Sequence, residues 1–196
     1  MTSRDKILGR VRDAMRTLAT RPVPPTTAPV FPPVTDPAQR FREEFLALKG
    51  EIIESPEALR QFLAGFPKIA TNDNDLVRRT AGPGNATVRE ADLGITGCDC
   101  LIAQMGAIVV SPPSAGGRAP SVLPPAHLVI ARHDQLIPDL AGAVDFVRRR
   151  YDGHWPSTLS IIAGPSRTGD IEQLLTRGVH GPVTVHIMLT PAADGG

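Results

Sequence analysis

The sequence lacks any long apolar run. Among its 196 residues, no stretch reaches the roughly 20 apolar residues that span a bilayer. The first twenty residues mix basic and apolar side chains and contain no continuous apolar core like that of a signal peptide. An amphipathic transit peptide stays a minor alternative, because Asp5 and Asp13 lie within this stretch and such peptides are poor in acidic residues. We therefore expect a cytoplasmic protein without a membrane span.

The sequence also lacks an excess of charge of either sign. Its 21 Lys and Arg residues are balanced by 20 Asp and Glu residues, which leaves a net charge of +1. This balance argues against a nucleic-acid partner or a polybasic membrane surface. We expect the partner to be a small molecule or another protein.

Cysteine is scarce, since Cys98 and Cys100 are the only two in the chain. In an extended segment, both thiols would point to one face and Asp99 to the other. A zinc or iron–sulfur site needs about four soft ligands. We therefore predict no metal site, two half-buried free thiols and a protein of a reducing compartment.

The chain lacks the motifs that hold common cofactors. Residues 94–97 are too short for a dinucleotide fingerprint, and no P-loop is present. A nucleophile elbow and a metalloprotease motif are absent as well. We expect this chain to bind no cofactor of its own.

What the chain does contain divides into an N-terminal arm, residues 1–35, and a domain, residues 36–196. In the arm, residues 3–18 carry apolar side chains at helical spacing, at Ile7, Val11, Met15 and Leu18. Residues 21–33 hold six prolines and predict a semi-rigid linker. The arm could fold back on its own domain or dock on a second subunit, and the sequence does not choose.

In the domain, short apolar strands alternate with helices. We expect helices at 37–49, 56–66, 136–150 and 170–176, with a helical turn at 75–79. Strands are expected at 51–54, 68–71, 86–90, 101–103, 107–111, 127–132, 158–163 and 183–190. The alternation predicts an α/β fold in three layers, with a largely parallel sheet flanked by helices.

Two loops have the composition of an anion site. Residues 163–168 leave a strand and are expected to enter a helix, which would place Gly164, Ser166 and Thr168 at a helix N-terminus that attracts anions. Asp170 would repel a bare phosphate unless it accepts a hydroxyl hydrogen bond, so a hydroxy acid or a sugar phosphate fits better. These residues could instead only cap the helix.

The second loop follows a strand and ends in Arg118, whose planar guanidinium suits a carboxylate or phosphate. The alternative is an exposed loop arginine. His127 and His180 each adjoin prolines or glycines and, together with Asp170, are the catalytic candidates, because histidine transfers protons near neutral pH. The alternative for each histidine is a hydrogen-bonded turn residue.

Six segments resemble the lactate-utilisation (LUD) domain family, and within it the proteins of type C. They are ADLGITG at 91–97, IAQMG at 102–106, Arg118, LPPAH at 123–127, GPSRTGDIE at 164–172 and GVHGP at 178–182. The resemblance implies a fold like that of the glucosamine-phosphate isomerase, ribose-phosphate isomerase and CoA-transferase superfamily. It also implies a protein that works with two iron–sulfur partner subunits to oxidise L-lactate to pyruvate. The matching positions add five substrate-binding candidates, Gly94, Thr96, Gly97, Gln104 and Gly106.

The chain departs from the family at Gln104, where the family typically has Glu. If that Glu is a base or a nucleophile in relatives, Gln104 cannot replace it. The first hypothesis is therefore a non-redox subunit that binds a small hydroxy-carboxylate or assembles the lactate-oxidising complex, with the clusters held by its partners. The alternative is a free-standing transferase, isomerase or cyclo-ligase that acts on a phosphorylated, CoA-linked or folate-like substrate. A lactate-sensing module and a homo-oligomer also stay open.

Overall fold

The computed structural model describes residues 2–16, 32–168, 176–177 and 181–192. The chain forms two compact units, Met1–Pro32 and Pro33–Gly196. The described part of the first unit is dominated by one amphipathic helix, α1 (Ser3–Arg16), which has no buried residue. Among the described residues, no helix combines the length and the apolar character needed to cross a bilayer.

The second unit alternates strands and helices. Its described helices are α2 (Pro37–Ala47), α3 (Pro56–Ala64), α4 (Asp75–Ala81), α5 (Pro112–Ala115) and α6 (Leu140–Arg150). Its described strands are β1 (Glu51–Ile53), β2 (Ile69–Thr71), β3 (Leu93–Thr96), β4 (Cys100–Ile102), β5 (Ala107–Val110), β6 (Ala126–Arg132), β7 (Leu136–Ile137), β8 (Ser160–Ile162), β9 (Arg167–Thr168), β10 (Thr176–Arg177) and β11 (Thr184–Thr190).

Five parallel strands form the central sheet, in the order β1–β11–β6–β3–β2. The strands β6 and β11 pair along their whole length, from Ala126 beside Thr184 to Arg132 beside Thr190. Six consecutive residues of β6 are buried, as expected of a parallel strand covered on both faces. The predicted α/β fold with a largely parallel sheet is therefore confirmed.

A second sheet covers one face of the central sheet. It is mixed and has the order β7–β4–β5–β8. Its inner face packs with α2 against the central sheet, and its outer face packs against α6. The helices α3 and α4 cover the other face of the central sheet. The sequence pattern did not separate this second sheet from the central one.

Local sequence explains where several elements begin. Ser55 caps α3 by accepting a hydrogen bond from the Ala58 amide, and Pro56 occupies the first turn, as predicted. The helix predicted at residues 136–150 is present but begins later than predicted. Residues 136–137 form β7, and α6 begins only after Pro138, with Asp139 as its N-cap.

The strand predicted at residues 86–90 was also wrong. The side-chain carbonyl of Asn85 accepts a hydrogen bond from the Ile69 amide, and its side-chain nitrogen donates to the Pro67 carbonyl. The Ala86 amide also donates to the Ile69 carbonyl. These hydrogen bonds hold residues 85–86 against the start of β2 as a loop. Residues 86–90 therefore do not pair with a neighbouring strand.

Candidate functional site

The connections of the central sheet diverge between β2 and β3. The chain leaves β2 toward α4, which packs on the face covered by α3. It leaves β3 toward the second sheet, which packs on the opposite face. In open α/β sheets, ligands bind beyond the carboxyl ends of the strands at such a topological switch point.

Five residues meet at this point, and we call them the switch-point cluster: Asn72, Asn74, Gly97, Ser114 and Gly116. The Asn72 side-chain nitrogen donates a hydrogen bond of 2.9 Å to the Ser114 carbonyl. A Cβ on Gly97 would lie 2.6 Å from the Asn74 side-chain nitrogen, and one on Gly116 would lie 2.7 Å from the Asn72 Cβ. The absence of side chains at both glycines lets these loops approach closely.

One polar atom of the cluster is left without a partner. The side-chain oxygen of Asn72 is buried and accepts no hydrogen bond from the described residues. A buried acceptor without a hydrogen bond destabilises the folded protein by about 1–3 kcal/mol. A hydrogen-bond donor from outside the described residues would therefore bind favourably to this oxygen.

The fully buried carboxylate of Asp99 supports the cluster through a hydrogen bond with Ser114. Ser114 Oγ donates to Asp99 Oδ2 at 2.9 Å, and the Tyr151 hydroxyl donates to Asp99 Oδ1 at 2.6 Å. Arg150 Nε lies 3.4 Å from the same Oδ1 and supplies the opposite charge. Because a buried charge needs such partners, Asp99 fixes the position of Ser114. Burial, followed by the hydrogen bond to Asp99, raises the pKa of Tyr151 and keeps its hydroxyl a donor.

Sequence reasoning missed Asp99, although a signal was present. An acid between two cysteines in an apolar stretch has to find partners inside the protein. The sequence pattern placed it only on the face opposite the two thiols.

Two predicted site residues, His127 and Thr96, form a buried pair. His127 is fully buried, and its Nε2 lies 2.9 Å from the Thr96 hydroxyl. Its Nδ1 has no partner among the described residues. Burial, with a smaller contribution from His186, lowers the pKa of His127 to about 4. The imidazole is therefore neutral near neutral pH.

Gly94 lies beside His127 in the sheet register. A Cβ there would come within 2.2 Å of the Pro120 carbonyl oxygen. Gly94 thus allows the turn at residues 119–121 to pack against β3.

Four other predicted residues lie at the opposite end of the central sheet. The Gln104 amide donates to the Pro138 carbonyl, and the Ser166 amide donates to the Pro182 carbonyl, just before β11. A Cβ on Gly106 would lie 2.4 Å from the Phe45 nitrogen, and one on Gly164 would lie 2.6 Å from the Leu48 carbonyl oxygen. The first contact is with the last turns of α2, and the second is with the connection from α2 to the amino end of β1.

The helix predicted at residues 170–176 does not extend to Thr176, and residues 170–175 lie outside the described residues. Residues 167–168 form β9, which pairs in antiparallel fashion with β10, so Thr176 lies in a strand rather than at the end of a helix. Threonines at positions 168 and 176 favour this arrangement, because β-branched residues suit strands. The Arg167 guanidinium donates to the Leu48 carbonyl beyond α2. Asp170 and His180 lie outside the described residues, as does the side chain of Thr168, and their roles stay predictions.

Arg118 is exposed and directly follows Gly116 and Gly117 in the chain. Its carbonyl accepts a hydrogen bond of 3.1 Å from the Ser121 hydroxyl. Its guanidinium has no partner within the described part of the chain and stays open to an anion.

The two thiols face opposite sides of the second sheet. Cys98 packs in the core between the two sheets, whereas Cys100 packs against α6. The expectation of one shared face was wrong, because β4 begins only at Cys100. Both thiols are free and buried rather than half-buried. Burial raises the pKa of both, that of Cys100 to about 12. Within the described ranges, no group of three or more His, Cys, Asp or Glu side chains is placed to hold a metal ion.

An open groove of about 780 Å³ lies at the carboxyl end of β11, between α3 and α4. Leu59, Leu63 and Met188 give it apolar walls, and Arg60 and Arg79 add positive charge. None of the residues that we predicted from the sequence lines this groove.

Comparison with known proteins gives consistent matches. The LUD domain family model matches residues 56–190. A lactate utilization protein C of Anoxybacillus flavithermus is 34% identical over 142 residues, which cover 71% of this chain and 62% of that protein. Proteins of the same name match from a Geobacillus species, 34% identical over 57% of this chain and 48% of theirs, and from Bacillus subtilis, 33% identical over 51% and 42%. The matched part of the chain thus spans about half the length of these relatives.

A solved structure shares the fold. It is the crystal structure of a DUF162 family protein from Deinococcus radiodurans, which superposes with a TM-score of 0.58 at 20% identity. The match covers 80% of this chain and 96% of that one.

Proposed function

Because the chain belongs to the LUD domain family, we propose that it takes part in lactate utilisation and binds a small hydroxy-carboxylate. The matched relatives are named lactate utilization protein C, which supports a role of this chain in lactate utilisation. The matched residues 56–190 contain the whole switch-point cluster, which supports a ligand site in this part of the chain.

In this proposal the chain is a non-redox component, and the iron–sulfur clusters lie in partner subunits. Oxidation of lactate to pyruvate releases two electrons, which a cofactor or cluster must accept. Cluster ligands are thiolates. Cys98 and Cys100 face opposite sides of the second sheet, and burial raises their pKa. The chemistry of these two side chains therefore supports electron acceptors on other subunits.

The hydroxy-carboxylate would bind beyond the carboxyl ends of β2 and β3. Arg118 provides a planar fork for the carboxylate. The Asn72 side-chain oxygen provides an acceptor for a hydroxyl. A carboxylate partner and a hydroxyl acceptor are the two groups that a 2-hydroxy acid requires. The convergence of the cluster at the topological switch point is the observation that carries this proposal.

Asp99 acts in this scheme as a positioning residue. It holds the Ser114 hydroxyl, and the carbonyl of Ser114 holds the side-chain nitrogen of Asn72. The oxygen of Asn72 is thereby turned away from Ser114. His127 is enclosed and neutral, so its part in proton transfer stays a prediction.

Calorimetry with L-lactate tests the site. Arg118→Ala should weaken binding about tenfold or more, because a charge-assisted hydrogen bond contributes about 1.5–3 kcal/mol. The matched control is Arg149→Ala, which removes an exposed arginine of α6 and should leave the affinity unchanged. Unchanged affinity in a folded Arg118→Ala protein would remove Arg118 from the site.

The hydroxyl acceptor has its own test in the same experiment. Propionate is lactate without the hydroxyl and should bind more weakly than lactate. Equal binding of the two acids would remove Asn72 from the proposal.

The competing function is a free-standing transferase, isomerase or cyclo-ligase. A ligand that binds the folded state raises the melting temperature. Stabilisation by a sugar phosphate, CoA or a folate, with none by lactate, would favour that function over the one proposed.

A further inference from the structure

The helix α1 carries an apolar stripe that the proposed function leaves unused. Its large apolar side chains, Ile7, Leu8, Val11 and Met15, are between 36% and 62% exposed, and the helix has no buried residue. At about 100° per residue, these four side chains lie along one face. A stripe of this kind is stabilised when something apolar covers it.

The positive charge of the chain is concentrated in this helix. The residues of α1 include five basic side chains and two acidic ones, a net charge of +3. The whole chain carries only +1, so the remaining residues sum to −2. The near balance of the complete sequence conceals a basic segment.

Two of the five basic side chains border the stripe, one on each side. Arg10 and Arg12 fall on opposite borders of the apolar face at helical spacing, and Asp13 falls opposite it. Asp5 accepts hydrogen bonds from the amide and the hydroxyl of Thr2, at 2.9 and 2.7 Å. A flat anionic surface meets both basic borders at once while the stripe inserts between them.

We propose that α1 binds the surface of an anionic lipid bilayer and lies in the interface with its apolar stripe inserted. A basic helix with an apolar stripe and low net hydrophobicity is typical of such binding. A second copy of the helix is a poorer occupant, because two helices of +3 repel each other. Its 14 residues also span only about two heptads, whereas a coiled coil needs three or four.

The test measures co-sedimentation of the full chain with vesicles. Vesicles of phosphatidylcholine with phosphatidylglycerol should bind the wild-type chain, and vesicles of phosphatidylcholine alone should not. The test involves no lactate, so its outcome is independent of the proposed function.

Two variants form a matched pair, because each adds one negative charge to α1. Val11→Asp places the charge in the stripe. Gly9→Asp places it on the opposite face, where a Cβ meets nothing within 4 Å. Gly9→Asp should weaken binding about fivefold, the effect of one charge near the surface. Val11→Asp should weaken it at least about tenfold more, because it also prevents apolar insertion.

Three outcomes would overturn the proposal. The wild-type chain does not sediment with anionic vesicles, or the two variants bind equally, which would leave attraction of charge alone. The third is a dimer in light scattering that Val11→Asp abolishes, without vesicle binding, which would assign the stripe to a second copy. Thermal melting of both variants should match the wild type, because α1 has no buried residue.

Discussion

Tyr151→Phe should destabilise the protein through Asp99. The substitution removes the hydroxyl that donates to Asp99 Oδ1 at 2.6 Å and lies 2.8 Å from the Ser111 hydroxyl. Asp99 is fully buried and would keep only Ser114 and Arg150 as side-chain partners within the described part of the chain. A hydrogen bond to a charged group contributes about 1.5–3 kcal/mol. Tyr151 is half-buried, so water can replace part of the bond, and we expect a loss of about 2 kcal/mol.

Urea unfolding measures this loss against a matched control. Thr190→Val also removes one half-buried hydroxyl, but that hydroxyl donates to the neutral carbonyl of Ala131 at 3.1 Å. A neutral hydrogen bond contributes about 0.5–1.5 kcal/mol. Tyr151→Phe should therefore lower the free energy of unfolding about twice as much as Thr190→Val does. An equal or smaller loss for Tyr151→Phe would refute the claim that Tyr151 compensates a buried charge.

Three further predictions concern the core. Between pH 6.5 and about 4, His127 takes up a proton in the unfolded chain but stays neutral in the folded chain. The free energy of unfolding should therefore fall on acidification by up to about 3 kcal/mol. His127→Gln should reduce this pH dependence in unfolding measured as a function of pH. Cys98 and Cys100 should resist a thiol reagent in the folded protein and react in urea, because burial raises their pKa; fast labelling of the folded chain would contradict their burial. Gly94→Ala should lower the melting temperature markedly, because its Cβ would lie 2.2 Å from the Pro120 carbonyl oxygen, and an unchanged melting curve would show that the turn can move.

The sequence pattern predicted most strands and helices, because apolar spacing and caps are local signals. The buried run of β6 and the cap at Ser55 are examples. It failed at residues 136–137, where a two-residue strand before Pro138 continues an apolar helical pattern. It failed again at residues 86–90, where the side chain of Asn85 ties a loop to β2.

The candidate site was harder to predict, because it depends on which loops meet. Thr96 and Gly97 were predicted and lie at the carboxyl end of β3, whereas Gln104 and Ser166 belong to the opposite end of the sheet. Asn72 has no local motif and becomes notable only through its contact with Ser114 across 42 positions of the chain. Such long-range contacts leave no periodic signal in the sequence.

Lactate oxidation by the chain, alone and with the proposed partner proteins, tests the central claim most directly. The purified chain and the iron–sulfur lactate-utilisation proteins of the same organism would be assayed separately and together for lactate-dependent reduction of a dye. We predict no turnover by the chain alone and turnover by the complex that falls when the chain is omitted. Lactate turnover by the isolated chain, or full turnover without it, would contradict the account.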